Sequence, residues 1–145
     1  MVDGLWMGVG VERIQTFQIK TSVKTDFIDI THSVQEAVQK TGVKEGICFV
    51  FIPHTTAAIT INENADPSVT QDIATQLSKI VPFLDRYQHT EGNAPAHIKA
   101  SLIGSSQMIL VESGKLVLGT WQGIFFCEFD GPRHRKVYVK VAKTE

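Results

Sequence analysis

The chain is poor in cysteine, with only Cys48 and Cys127 in 145 residues. Each lies inside an apolar run, Ile47-Cys48-Phe49-Val50 and Phe125-Phe126-Cys127. That setting suits buried free thiols in a reducing compartment better than a bridge. So few thiols exclude a disulfide scaffold and a thiolate metal cluster. An excess of either charge is also missing, since 14 Lys+Arg against 15 Asp+Glu leave a formal charge of -1. Nothing global therefore draws the chain to nucleic acid or to an anionic membrane. Long apolar runs are absent too: the longest, Ile47 to Ile52, has six residues, against about 20 needed to span a bilayer. Met1 to Gly10 has no basic segment, apolar run or small-residue cleavage site. A secretory signal is not expected, and the reading is a cytoplasmic protein.

Apolar residues at 43% and charged residues at 20% match an ordinary globular protein. A chain of this length can bury about 70% of its unfolded surface in one domain. Without repeats or linker-like tracts, residues 1–145 are read as one domain, with 1–10 a loose tail from which Trp6 and Met7 could dock.

Strands are expected at Glu12 to Lys20 and Asp26 to Ile30. Thr31 or Ser33 then opens a helix, with Ser33-Val34-Gln35-Glu36 as a capping box and Gly42 as the stop. Gly46 to Pro53 is apolar at every position, as in a strand buried on both faces. Asp66-Pro67 caps a second helix whose apolar face is Val69, Ile73, Leu77, Ile80 and Val81, ended by Pro82. Asn93 to Gly104 holds a short third helix with Pro95 near its start, Ile98 and Leu102 on one face and Gly104 as the stop. The remainder reads as strands: Gln107 to Glu112, a Ser113-Gly114 turn, Lys115 to Leu118, Thr120 to Phe129, and a last strand alternating through Val137, Val139 and Val141. The fold class is α+β, a mostly antiparallel β-sandwich, jelly-roll-like, with two or three helices packed outside.

Five histidines are the main sign of chemistry. His54, in Pro53-His54-Thr55-Thr56, follows a buried strand, where a rigid scaffold presents side chains; it can equally cap the sheet edge. In an extended segment His89 and Glu91 point the same way, a ligand with its base or supporting carboxylate, or simply a solvated loop. His97 falls at the start of the third helix, where the dipole favours a neutral imidazole and free amides attract anions. Lys99 is a tempting phosphate partner, yet two residues on a helix separate it from His97 by about 200°. Three histidines that leave a position open for water are the arrangement of catalytic zinc. His32 and His134 are poorer candidates. Asn62 and Glu63 lack the capping role that explains Asp66. Trp121 and Gln122 lie between glycines and could stack on a ligand or belong to a bulged strand. Arg133 could close the Asp130 turn or bind phosphate.

Five stretches carry a resemblance: Pro53 to Ala58, Asn62 to Pro67, Ala96 to Leu102, Leu118 to Ile124 and Glu128 to Arg133. Together they closely resemble the YjbQ family, whose members are often labelled secondary thiamine-phosphate synthases. The resemblance runs from about Ile14 to Val141. It implies a homotrimer of β-sandwich subunits that joins a pyrimidine pyrophosphate to a thiazole phosphate, as a secondary activity. It also implies His54, His89 and His97 as the family's matching histidines, here expected to hold a divalent metal, zinc or else magnesium. On this reading His54, Glu91 and His97 are catalytic. Thr55, Thr56, Asn62, Glu63, Lys99, Trp121, Gln122 and Arg133 bind a small phosphorylated heterocycle. A metal-assisted hydrolase and a non-enzymatic binding trimer stay open as alternatives.

Overall fold

Alternation organises the last strand. From Arg135 through Val137, Val139 and Val141, every second side chain is buried, while Lys136 and Lys140 between them face out. The computed structural model describes residues 13–144, so the expected tail 1–10, with Trp6 and Met7, lies outside the described residues. The elements are β1 (Gln15–Lys20), β2 (Asp26–Asp29), α1 (Thr31–Thr41), β3 (Gly46–Phe51), β4 (Ala57–Glu63), α2 (Pro67–Ile80), α3 (Ala94–Ile103), β5 (Ser106–Glu112), β6 (Lys115–Leu116), β7 (Gln122–Glu128) and β8 (His134–Lys143).

The class is α+β, with three helices and two antiparallel sheets among the described residues. The larger sheet has the order β1-β8-β3-β5-β6 and the smaller β2-β7-β4. One core cluster draws on both: Cys48, Val50, Val137, Val139 and Val141 from the larger sheet, Ile59, Ile124 and Phe126 from the smaller, and Val34 and Val38 from α1. The smaller sheet is covered on its other side by α2 and α3, where Leu77, Ala96 and Ala100 meet Ala58, Cys127 and Phe129. That double cover explains why Gly123 to Glu128 is buried at every position. Both cysteines are free and buried, and burial pushes the Cys48 thiol up to about 12.

Several local expectations are corrected. β3 is not buried on both faces: Phe49 and Phe51 are exposed, because among the described residues no layer covers the outer side of the larger sheet there. The Ser33 capping box does not form. Asp29 accepts from the Thr31 amide at 2.9 Å and its hydroxyl at 2.6 Å, so the helix starts earlier than Ser33 would allow. Gly42 does stop α1 in the left-handed region at φ 72°. In α2, Asp66 caps through the Ser68 amide as expected, but Ile80 is 61% exposed. The third helix is rotated relative to its apolar pattern. It buries Ala96, Lys99 and Ala100 and leaves Ile98 and Leu102 outside, the two alanines packing against Ala58, Cys127 and Phe129 of the smaller sheet.

Gly46 marks the tightest backbone approach between β3 and β8. A Cβ there would lie 2.3 Å from the Ala142 carbonyl oxygen, which a strand cannot readily move. We expect Gly46→Ala to destabilise the fold by about 1–3 kcal/mol. Urea denaturation checks this; an unchanged midpoint would mean that the strand pair is looser than described.

Candidate functional site

The strand ends that precede the helices and turns open onto one cleft. β3 runs out into His54, Thr55 and Thr56, the start of α3 adds Asn93 and His97, and the β7–β8 turn adds Arg133. Glu91 comes from the segment before α3, and the first inward position of β8 supplies Arg135. The cleft encloses about 640 Å³, and a recess of about 350 Å³ continues from His54 and His97 towards Ser101.

The floor is built on a buried ion pair. Arg135 is 4% exposed and Glu128 is fully buried. Arg135 donates through Nε to Glu128 Oε1 at 2.8 Å and through Nη2 to Glu128 Oε2. The same Nη2 reaches Thr56 Oγ1 at 2.9 Å. The Thr21 hydroxyl donates to Glu128 Oε1 at 2.8 Å, and the Asp130 amide donates to Oε2 at 2.9 Å. Burial pulls the Glu128 carboxyl up, but these donors, Arg135 foremost, outweigh it and hold the group below the usual carboxylate range. Among the described residues Nη1 of Arg135 has no hydrogen-bond partner, and Arg135 is one of the residues that line the cleft.

Around this floor the polar groups are ordered. Arg133 closes the Asp130 turn, with Nη2 2.8 Å from Asp130 Oδ2 and Nε 2.9 Å from its carbonyl. Asn93 donates through Nδ2 to the same carboxylate oxygen at 2.9 Å. Its own Oδ1 is buried without a partner, an acceptor that a ligand O–H or N–H would satisfy. His89 and His97 meet edge to face with ring centroids 5.0 Å apart, and His89 Nε2 lies 3.1 Å from Glu91 Oε1. Burial first, then the neighbouring Arg135, lowers the His54 pKa, so its imidazole is neutral near pH 7. Nε2 of His54 accepts from the Lys136 amide at 2.9 Å, which puts the ring proton on Nδ1.

That last contact bears on the expected metal. A ring that accepts through Nε2 and carries a proton on Nδ1 has no lone pair for an ion. Among the described residues, no group of three or more His, Cys, Asp or Glu side chains is placed to hold one. Within one chain the residues do not fit a three-histidine zinc centre.

The other candidate residues divide. Thr55 and Thr56 line the cleft, Thr56 being held by Arg135. Lys99 lies on the inner side of α3, outside the cleft lining, and its burial lowers its pKa. Asn62, Glu63, Trp121 and Gln122 sit at the far end of the smaller sheet. β4 and β7 pair from Ala57–Glu128 beside the cleft to Glu63–Gln122 at the other end, a run of about 20 Å. There Trp121 is 63% exposed, and Gln122 Oε1 accepts from the Gly119 amide at 2.8 Å. His32 and His134 are exposed and apart from the cleft. Sequence reasoning missed Arg135, Glu128 and Asn93. For Arg135 a signal existed: it occupies the inward phase of the Val137-Val139-Val141 alternation, and an inward cation requires a partner.

Residues 15–144 match the family described as UPF0047 protein YjbQ-like. This chain belongs to that family. A UPF0047 protein of Methanocaldococcus jannaschii is 52% identical over 90% of this chain and 95% of its own length. The UPF0047 protein YugU of Bacillus subtilis is 51% identical over 88% and 98%. A crystal structure of a YjbQ/UPF0047 protein from Clostridium acetobutylicum superposes with a TM-score of 0.87 at 60% identity, covering 88% of this chain and 99% of that one. A YjbQ-like protein from Sulfolobus solfataricus keeps the fold at 36% identity with a TM-score of 0.87, covering 90% and 96%. The UPF0047 fold described above therefore extends well beyond near-identical sequences.

The ion pair generates a pH prediction. Because Glu128 titrates lower folded than unfolded, it adds stability above its unfolded pKa, which is lost as pH falls through the folded value. Arg135→Met should cost about 3–5 kcal/mol at neutral pH by leaving a buried carboxylate alone. Glu128→Gln should flatten the acid limb of a denaturation profile; an acid limb identical to that of the unsubstituted protein would remove Glu128 as its source.

Proposed function

We propose that the cleft is an active site for small phosphorylated heterocycles, with chemistry of the thiamine-phosphate synthase kind. Arg135 carries this reading: a buried guanidinium held by Glu128 and Thr56, and lining the cleft beside Arg133, is suited to a phosphate or pyrophosphate group. In such a reaction the carbon–oxygen bond to pyrophosphate breaks while the thiazole nitrogen bonds to the same carbon. The demand on the protein is to neutralise the departing pyrophosphate, which Arg135 and Arg133 can do. His97, backed by His89 and Glu91, can supply a proton to the leaving oxygen. Thr55 and Asn93 can orient the substrate. A divalent ion, zinc or magnesium, would require a donor from beyond the single chain, and no step here depends on it.

The finer fold reading, a jelly-roll-like sandwich, is supported by the core that the two sheets share. We infer too that copies assemble as a homotrimer. Supporting this, Phe49, Phe51, Met108 and Leu110 lie uncovered on neighbouring strands of the larger sheet, an apolar face of the kind that subunits bury. Among the described residues no helix is long and apolar enough to cross a membrane. Binding without turnover is the second reading; among the described residues no metal-ligand set is placed for a metal-assisted hydrolase, which would need donors from a second copy.

The test is synthesis of thiamine phosphate from its two halves by purified protein. His97→Ala and Arg133→Ala should each lower kcat by about 10²-fold or more. Full activity in both variants would rule out this cleft as the active site. Tight binding of the substrates with no product from the unsubstituted protein would establish the binding role instead.

A further inference from the structure

The inner side of α3 faces a second, smaller cavity of about 60 Å³, separated from the cleft by Asn93, which lines both. Two lysines line it, Lys24 and Lys99, and no carboxylate does. Lys99 is only 8% exposed. Its Nζ donates to the Ser78 hydroxyl at 3.3 Å and lies 5.9 Å from the Phe129 ring centroid. Among the described residues it forms no ion pair. Lys24 sits 5.0 Å from the Phe83 ring centroid, and among the described residues its one carboxylate partner, Asp130 at 3.7 Å, also takes Arg133. One carboxylate thus serves two cations, and the more deeply buried third has none.

A buried ammonium is ordinarily paired with an anion or coordinated by several oxygens. Among the described residues Lys99 has a single hydroxyl partner, the Phe129 ring beside it and a small cavity at its head. We propose that this cavity is a binding site for a small monovalent anion, a halide or a short carboxylate. Lys99 and the Ser78 hydroxyl would donate to it from one side, with Lys24 and the Thr25 hydroxyl closing the other. A space of this size accepts a few water-sized groups, so a phosphorylated heterocycle is excluded. The site is thereby distinct from the cleft, and the proposal stands independently of the catalytic reading.

The whole chain is titrated with sodium chloride, formate or acetate against sulfate at matched ionic strength, reading the thermal midpoint and the amide resonances of Ser78, Lys99 and Phe129. A saturable rise of roughly 3 °C or more with a monovalent anion, with shifts at those amides, is expected. The relative response to chloride and to the carboxylates tells the two sources apart. Lys99→Met should abolish the response and Lys24→Met should weaken it. Lys99→Met should also fold at least as stably as the unsubstituted protein without added anion, since it removes an unpaired buried charge. A response that persists in Lys99→Met overturns the proposal, as does the absence of any saturable, anion-specific shift.

Discussion

The ion pair of Glu128 and Arg135 is the constraint from which the cleft takes its shape. Glu128 ends β7 in the smaller sheet, and Arg135 lies near the start of β8 in the larger. Their bidentate contact joins the two sheets at one end, and Thr21 and Thr56 are drawn in from beyond β1 and before β4. Taking two charges out of water is expensive, so such a pair adds less stability than its hydrogen bonds suggest. What it does supply is definition. Each carboxylate oxygen has its donors, and a sliding of the sheets would strand a buried charge.

Definition at that end is inherited by the residues around it. The Asp130 amide is pinned by Glu128, and the Arg133 amide by the Thr21 hydroxyl at 2.8 Å. The turn between β7 and β8 therefore has little freedom, and the Arg133 guanidinium is directed by Asp130. Asn93 attaches the start of α3 to the same carboxylate, which fixes His97 relative to the floor. A chain of polar contacts, rooted in the core, thus positions groups on three separate elements. This is the kind of support that lets a site on loops hold its geometry.

Much of the fold was legible because its periodicities are local. The Val137-Val139-Val141 alternation, the Asp66-Pro67 start of α2 and the Ser113-Gly114 turn each need only near neighbours to be read. The failures have a different origin. Ile98 and Leu102 suggest an inner face for α3, but the helix packs on the smaller sheet through Ala96 and Ala100, which turns Lys99 inward and leaves Leu102 exposed. Ser33 was a plausible cap, yet Asp29 reaches the helix start first. For the site, His54, Glu91, His97 and Arg133 could be gathered from residue type and position. Arg135 showed itself only as a cation in the inward phase of β8, without its partner, and Asn93 not at all, since its partner lies 37 residues away.

The placing of the motifs has a consequence for any site that uses all of them. His54 and Thr56 precede β4, whereas Asn62 and Glu63 end it, and Trp121 and Gln122 lie beside that far end. A paired strand does not fold back on itself. Within one chain the indole and the histidine cleft therefore remain about 20 Å apart. Either the two ends serve different purposes, the Trp121 end forming a contact surface, or one copy presents that end to the cleft of the next. The second arrangement is a head-to-tail contact, which closes into a ring when repeated by the right rotation. A homotrimer would satisfy it. The acceptor on Asn93 that the described residues leave unfilled would then be a matter for a neighbouring subunit to answer.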